Sequence, residues 1–201
     1  FIKSFRDLNL LNSPISSTVM EFLKGFTRNF GEVPKPSLQL LLNLSKMVSF
    51  KKGDNISNVG QVSKNFYIIK TGVVRSYYED EKGKQYTRTI FTTHKTTGCL
   101  SSLISSQPCK LTYECLTDCE FYQFNFKEFK KLVKKDIYIS MFYSNMLESI
   151  FLVMESRIFD LSLLNATERY LKLKKEISNI EDLIPQYHIA SYLNISPVQL
   201  S

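Results

Sequence analysis

The sequence predicts an α+β protein, in which an antiparallel roll or barrel is followed by one long helix and then a helix-turn-helix pattern. Three observations carry that prediction. Between Phe50 and Phe126, Gly53, Gly60, Gly72 and Gly83 punctuate apolar runs rich in β-branched and aromatic residues. Short strands joined by tight turns have this texture. From Cys109 to Ile184 there is no Gly or Pro at all, so the second half is free to be helical. Finally, PQYHIASYLNISPVQLS at 185–201 places small and apolar residues where two crossing helices need them.

Bulk composition narrows the classes. A chain of 201 residues has room for one large domain or two small ones. Its 43% apolar content supplies an ordinary core, and 13% aromatic residues argues against disorder. A net charge of +7, with pI near 9.1, suits a nucleic-acid partner without requiring one. No apolar run approaches about 18 residues, so no membrane span is expected, and the N-terminus lacks a secretory signal. The chain is therefore read as cytoplasmic. Cysteines 99, 109, 115 and 119 match no zinc or iron–sulfur spacing. No metal and no cofactor are expected, and the cysteines read as reduced thiols in or near strands.

In chain order, residues 1–19 show no clear period and read as an extension, with a better-formed segment opening at Met20. Neither Phe1 nor Ser201 looks like a natural end. Ser37 is the expected cap of a helix SLQLLLNLSKMV, with Leu38, Leu41 and Leu42 on its inner side. FYIIK and VVRSYYED flank Thr71-Gly72, the Gly83 turn leads into KQYTRTIFTT, and KLTYECL and CEFYQFN follow. Six to eight short strands are expected, without long helices among them.

KEFKKLVKK then leads into a helix over Asp136–Leu161, 26 residues without Gly or Pro and about 39 Å long. Leu147, Phe151, Met154, Ile158 and Leu161 recur at spacings of 4, 3, 4 and 3, a seam that wants a second helix beside it. Phe142, Met146, Ile150 and Val153 form another stripe, turned away from the first. A helix apolar on two faces needs two partners, its own domain and another subunit. A central helix buried within a monomer is the alternative.

Asn165 is the expected N-cap of ATERYLKLKKEI. In the last segment Ala190 is the small residue at the helix crossing, Ile189 and Leu193 face the core, Asn194 takes the left-handed turn and Ile195 plugs the junction. Ser196-Pro197-Val198-Gln199 reads as a capping box with Pro at its first helical position. An ordinary αα-corner is the alternative, and five residues of the second helix follow the cap. His94 and His188 have no acid or nucleophile beside them and read as surface or cap residues. No P-loop, GxSxG, HExxH or CxxC is present, so the chain is not expected to be an enzyme. The lysine-rich runs at 127–135 and 172–175 read as solvated helix faces, or for the second as a contact to DNA phosphates.

Taken together, Lys52-Gly53-Asp54, the FYIIKTGVV strand pair, the acidic Gly83 turn, the long helix and PQYHIASYLNISPVQLS resemble the cyclic-AMP receptor protein (Crp/Fnr) family of transcription regulators over roughly residues 35–201. NATERYLKL and the final motif are similar to the branch found in Bacteroidetes-type bacteria. The resemblance implies a β-roll sensor of the double-stranded β-helix or jelly-roll kind, a dimerisation helix and a winged helix-turn-helix laid in the DNA major groove. It divides the chain into an extension and helix (1–35), a cyclic-nucleotide-binding-like roll (36–135), the dimerisation helix (136–161) and a partial DNA-binding domain (162–201).

The departures from the family are specific. Cyclic-AMP-binding members carry a Gly-Glu-Leu turn whose Glu bonds the ribose, and eleven residues after its Gly an Arg-Ser pair that holds the phosphate. Here Gly98-Cys99-Leu100 and Cys109-Lys110 stand at those places. A thiol does not replace the carboxylate, and no guanidinium remains to clamp a phosphate in two places. These five residues are the candidate pocket, with Lys110 able to attract an anion as a point charge. Cyclic AMP, another small effector and no ligand at all stay open.

Two readings of function follow. The first is a homodimeric regulator that binds double-stranded DNA, with RNA polymerase as the protein partner the resemblance implies. Ser196, Gln199 and Ser201 are its candidates for base readout, Gln because it pairs bidentately with adenine. The second is a small-ligand sensing module that controls a partner protein without touching DNA. The two cysteines in one pocket also allow a disulfide, if their Cα atoms lie within about 7 Å.

Overall fold

The structure, a computed structural model, describes residues 14–200. The first part of the expected extension, residues 1–13, lies outside the described residues. The chain divides into two units, one of residues 1–45 and 127–154 and the other of 46–126 and 155–201.

The first unit is helical. Helix α1 (Pro14–Thr27) runs into a 3-10 turn at Arg28–Phe30, and α2 spans Lys35–Leu44. Ser37 does not cap α2. It sits buried inside the helix and its hydroxyl donates to Asp136 Oδ2 at 2.7 Å. Pro34 takes the cap position with Pro36 in the first turn, where a missing N–H costs nothing. The helix also stops earlier than expected, because Ser45 turns extended and Lys46–Val48 join a strand. Helix α4 (Phe126–Val133) precedes α5 (Ile137–Leu163), whose first turn is capped by Asp136, Oδ1 accepting the Ile139 N–H at 3.0 Å. Phe26, Phe30 and Phe142 meet edge to face, with centroids 5.3–6.1 Å apart, and Asn145 donates to the Phe30 carbonyl at 2.7 Å.

The second unit holds the strands. They are β1 (Lys46–Phe50), β2 (Asn55–Ser57), β3 (Asn65–Thr71), β4 (Val74–Glu79), β5 (Gln85–Phe91), β6 (Thr96–Thr97), β7 (Thr112–Cys115) and β8 (Cys119–Asn125). They pair antiparallel in two sheets, ordered β1-β8-β3-β6 and β2-β7-β4-β5. Tyr67, Ile69 and Phe121 of one sheet pack on Val74 and Cys115 of the other, so the core lies between the sheets. Gly72 makes the β3–β4 turn possible: its φ is +98°, and a Cβ would meet the Asp118 carbonyl at 2.6 Å. A short helix, α3 (Leu100–Ser105), interrupts the strands.

Beyond α5 come α6 (Ala166–Glu176), α7 (Ile180–Leu183), α8 (Gln186–Leu193) and α9 (Pro197–Leu200). Asn165 caps α6 as expected, in a full capping box with Glu168. Leu173, Ile180, Ile184, Ile189 and Leu193 form a core that also takes in Val73 and Leu116 of the roll. This helical tail is thus packed on the strands as part of the same unit.

Helix α5 bears on the expectation that no segment spans a membrane. By length and composition it is long and apolar enough to cross a membrane, an 18-residue stretch of it having a mean hydropathy of 1.4. Isolated polar residues such as Ser140, Ser144, Asn145 and Glu148 break the run residue by residue without changing its average. Its early apolar residues Ile139, Phe142, Tyr143 and Met146 are nonetheless buried in the protein's own core.

Candidate functional site

The candidate pocket is filled by its own side chains. Gly98, with φ at +121°, lies so close to β3 that a Cβ would stand 3.3 Å from the Asn65 carbonyl. That approach sets Cys99 at the N-cap of α3, facing inward, while the Leu100 N–H bonds the Gly98 carbonyl at 2.9 Å. Cys99 and Cys109 are joined by a disulfide, their Cα atoms 6.2 Å apart. The expectation of four reduced thiols is therefore corrected, and the disulfide that the shared pocket position of Cys99 and Cys109 allows is present. Both cysteines are 2% exposed and cluster with Tyr113, with Ile56, Phe91 and Leu111 packed around them. Lys110 is exposed and Leu100 half-buried.

The segment around Cys109 is pinned at several points. Its N–H donates to the Gln61 carbonyl and its own carbonyl accepts from Gly60, both at 2.9 Å. Ser57 Oγ donates to Cys109 Sγ at 3.5 Å. The other two cysteines, Cys115 and Cys119, are buried free thiols. The hydrogen bond that Cys115 donates to Cys119, and then burial, push the Cys115 thiol up, so it stays protonated. No cluster of three metal-ligating side chains occurs among the described residues.

Helix α5 carries the second candidate surface. Leu147 is half-buried, while Phe151, Met154, Ile158 and Leu161 are exposed, Phe151 at 63% and Ile158 at 65%. Leu152, Val153, Phe159 and Leu163 are exposed as well. Of the second stripe, Phe142 and Met146 are buried as expected and Ile150 half-buried, but Val153 is exposed. A shallow hollow of about 450 Å³ opens at Leu147, Glu148, Phe151 and Leu152.

The third is the helical tail. The Asn194 turn is left-handed (φ 57°), its N–H and that of Ile195 returning to the Ala190 carbonyl. Ser196 and Gln199 bond each other reciprocally: Gln199 Oε1 accepts the Ser196 N–H at 2.9 Å, and Ser196 Oγ accepts the Gln199 N–H at 3.3 Å. Both are exposed, as is Val198, while Ser201 lies outside the described residues. Within the lysine run, Lys172 pairs with Asp160 at 2.6 Å and Lys174 with Glu181 at 2.9 Å, and Lys175 is exposed.

The junction between tail and roll was not found from the sequence. Ser191 of α8 accepts the Thr87 N–H and donates to the Gln85 carbonyl, both on β5. Nearby Arg75, 4% exposed, bonds Glu114 at 2.6–2.8 Å and Gln85 at 2.5 Å and lies over the Tyr77 ring. Arg75 and Glu114 face each other in register on β4 and β7; opposite charges inside two apolar strands were the available signal. His188 is not a surface residue, as expected, but buried, at 5% exposure. Burial, and then the positive charges of Arg75 and Lys52, lower its pKa to about 4.

Residues 47–136 match the family model of the cyclic nucleotide-binding domain. No curated protein sequence matches the chain. Among solved structures, FixK2 from Bradyrhizobium japonicum superposes with a TM-score of 0.68 at 17% identity, covering 78% of this chain and 80% of that one. CLP of Xanthomonas campestris, described as a c-di-GMP responsive global regulator, gives 0.63 at 15% identity, covering 83% and 87%. The catabolite activator protein of Thermus thermophilus gives 0.56 at 16% identity, covering 85% and 82%. At such identities the likeness is one of fold. Residues 47–136 are thus similar to a cyclic nucleotide-binding domain, a regulatory module. The chain's fold is that of the Crp/Fnr transcription regulators.

Proposed function

We propose that this chain is a homodimeric, cytoplasmic DNA-binding regulator whose sensor pocket has diverged from cyclic-nucleotide binding. The observation that carries the reading is the row of exposed apolar side chains at Phe151, Met154, Ile158 and Leu161. They share one face of a helix at coiled-coil spacing, and a water-exposed stripe of this size marks an interaction surface. A second copy of the same helix supplies the complementary seam by two-fold symmetry. The roll (36–135) is then the sensor, 136–161 the dimerisation helix and 162–201 the DNA-binding part, read as a helix-turn-helix. Ser196 and Gln199 stand at the start of its second helix; Ser201, the third candidate for base readout, lies outside the described residues. The capping box of that helix engages Gln199 Oε1 through the Ser196 N–H and hydroxyl, so readout of adenine by that side chain trades those hydrogen bonds for others.

The alternative, a sensing module acting on a partner protein, draws support from the docking of α8 on β5, which ties the tail to the roll. Binding of a fluorescent duplex by the full-length gene product, followed over rising salt, separates the two. A DNA-binding regulator loses affinity linearly in log–log form, with a slope set by the phosphates it neutralises. No retention at low salt favours the partner-protein reading.

A further inference from the structure

We propose that Cys99 and Cys109 form a reversible thiol–disulfide site in the roll interior, oxidised by peroxide, whose state is felt at strand β5. The proposal does not depend on DNA binding. Its geometry is specific: two buried sulfurs ten positions apart in sequence have Cα atoms 6.2 Å apart, within the range a bridge needs. Cys115 and Cys119 remain thiols in the same unit, so the bond reflects placement and not a general tendency of these cysteines to pair.

Cys109 is the attacking thiol in this scheme. Ser57 donates a hydrogen bond to its sulfur at 3.5 Å, a contact that strengthens when the sulfur is a thiolate. Its neighbours Gln107, Pro108 and Lys110 are exposed, which gives a small oxidant a short path. The thiolate sulfur attacks one peroxide oxygen, the O–O bond breaks, and hydroxide leaves and takes a proton as water. The resulting sulfenic acid condenses with the Cys99 thiol, forming the S–S bond and releasing a second water. Two thiols and one hydrogen peroxide thus give one disulfide and two waters, with two electrons passing from sulfur to oxygen. A thiol reductant such as glutathione reverses the step by exchange.

The bond stands at one end of a packed row. Cys99 and Cys109 cluster with Tyr113, whose ring lies 6.1 Å from that of Phe91. Phe91 belongs to β5, the strand whose Thr87 and Gln85 are bonded by Ser191. Breaking the disulfide frees α3 and the Cys109 segment from each other and loosens the packing on Phe91.

The test equilibrates the protein in glutathione redox buffers, traps free thiols with an alkylating reagent and reads the 99–109 peptides by mass spectrometry. The expected result is a two-electron transition at Cys99 and Cys109, restored by peroxide after reduction, with Cys115 and Cys119 unchanged. Backbone hydrogen exchange at Thr87 is expected to be faster in the reduced form. Cys99→Ser and Cys109→Ser are each expected to abolish the transition; the wild-type titration decides the matter if either fails to fold. The proposal is overturned if both thiols alkylate after peroxide treatment, or if the folded protein keeps the bond across all buffers. Equal Thr87 exchange in the two forms overturns the coupling to β5.

Discussion

The hydroxyl of Ser191 meets the backbone of Thr87 across 104 residues of sequence, accepting its N–H at 2.9 Å while donating to the Gln85 carbonyl at 3.1 Å. Strand β5 ends its sheet, and an end strand carries backbone groups with no neighbouring strand to pair them. One serine side chain satisfies a donor and an acceptor there, adding two hydrogen bonds to the apolar core that packs the helical tail on the roll.

Replacing Ser191 with Ala leaves the buried Thr87 N–H unpaired, at a cost of about 1–3 kcal/mol. Ser191→Ala is expected to speed hydrogen exchange throughout α8 and at Thr87. Unchanged exchange would mean that the apolar core of Ile189 and Leu193 holds the helix by itself.

His188 makes the same junction sensitive to acid. Its folded pKa of about 4 lies below the ordinary value of 6.5, so between those values the unfolded chain binds a proton that the folded one does not. Stability from this group is full above pH 6.5 and is lost as pH falls toward 4. Thermal melts across that window should show the decline, and His188→Gln should flatten it. A mutant melting profile as steep as that of the wild type would place the acid sensitivity elsewhere.

The proposed seam predicts that Phe151→Glu or Met154→Glu yields monomers, since like charges would meet in a desolvated interface. Sedimentation at micromolar concentration reads this directly. A monomeric wild type would remove the dimer.

Cyclic AMP is expected to bind weakly or not at all, because Cys99, Cys109 and Tyr113 cluster in the interior and Cys109 stands where cyclic-AMP-binding members carry the arginine. Calorimetric titration checks this, and a micromolar dissociation constant would show that these residues do not mark the ligand position.

Periodicity and turn chemistry made much of this legible. Gly72, Gly83 and the alternating runs gave the strands, and the Asn165 and Ser196 capping boxes gave helix starts, because these signals are local. What failed depended on distant partners. Ser37 looks like a cap until Asp136 draws its hydroxyl into the helix interior. Lys46–Val48 continue a helical pattern but pair with Phe121–Gln123 of β8. His188 reads as polar surface, yet α8 turns it toward Arg75 and Lys52. Cys99 and Cys109 were brought together only as a possibility of shared position, since spacing alone does not fix a Cα distance.

A two-fold DNA reader is recognised by the sites it selects from a pool of randomised duplexes, with the full-length gene product as bait. The account predicts enrichment of palindromic sites whose half-sites repeat about one helical turn apart, 10–10.5 base pairs, with enrichment lost in Phe151→Glu. Recovery of no sequence above background, or of asymmetric single sites unaffected by that substitution, would contradict it.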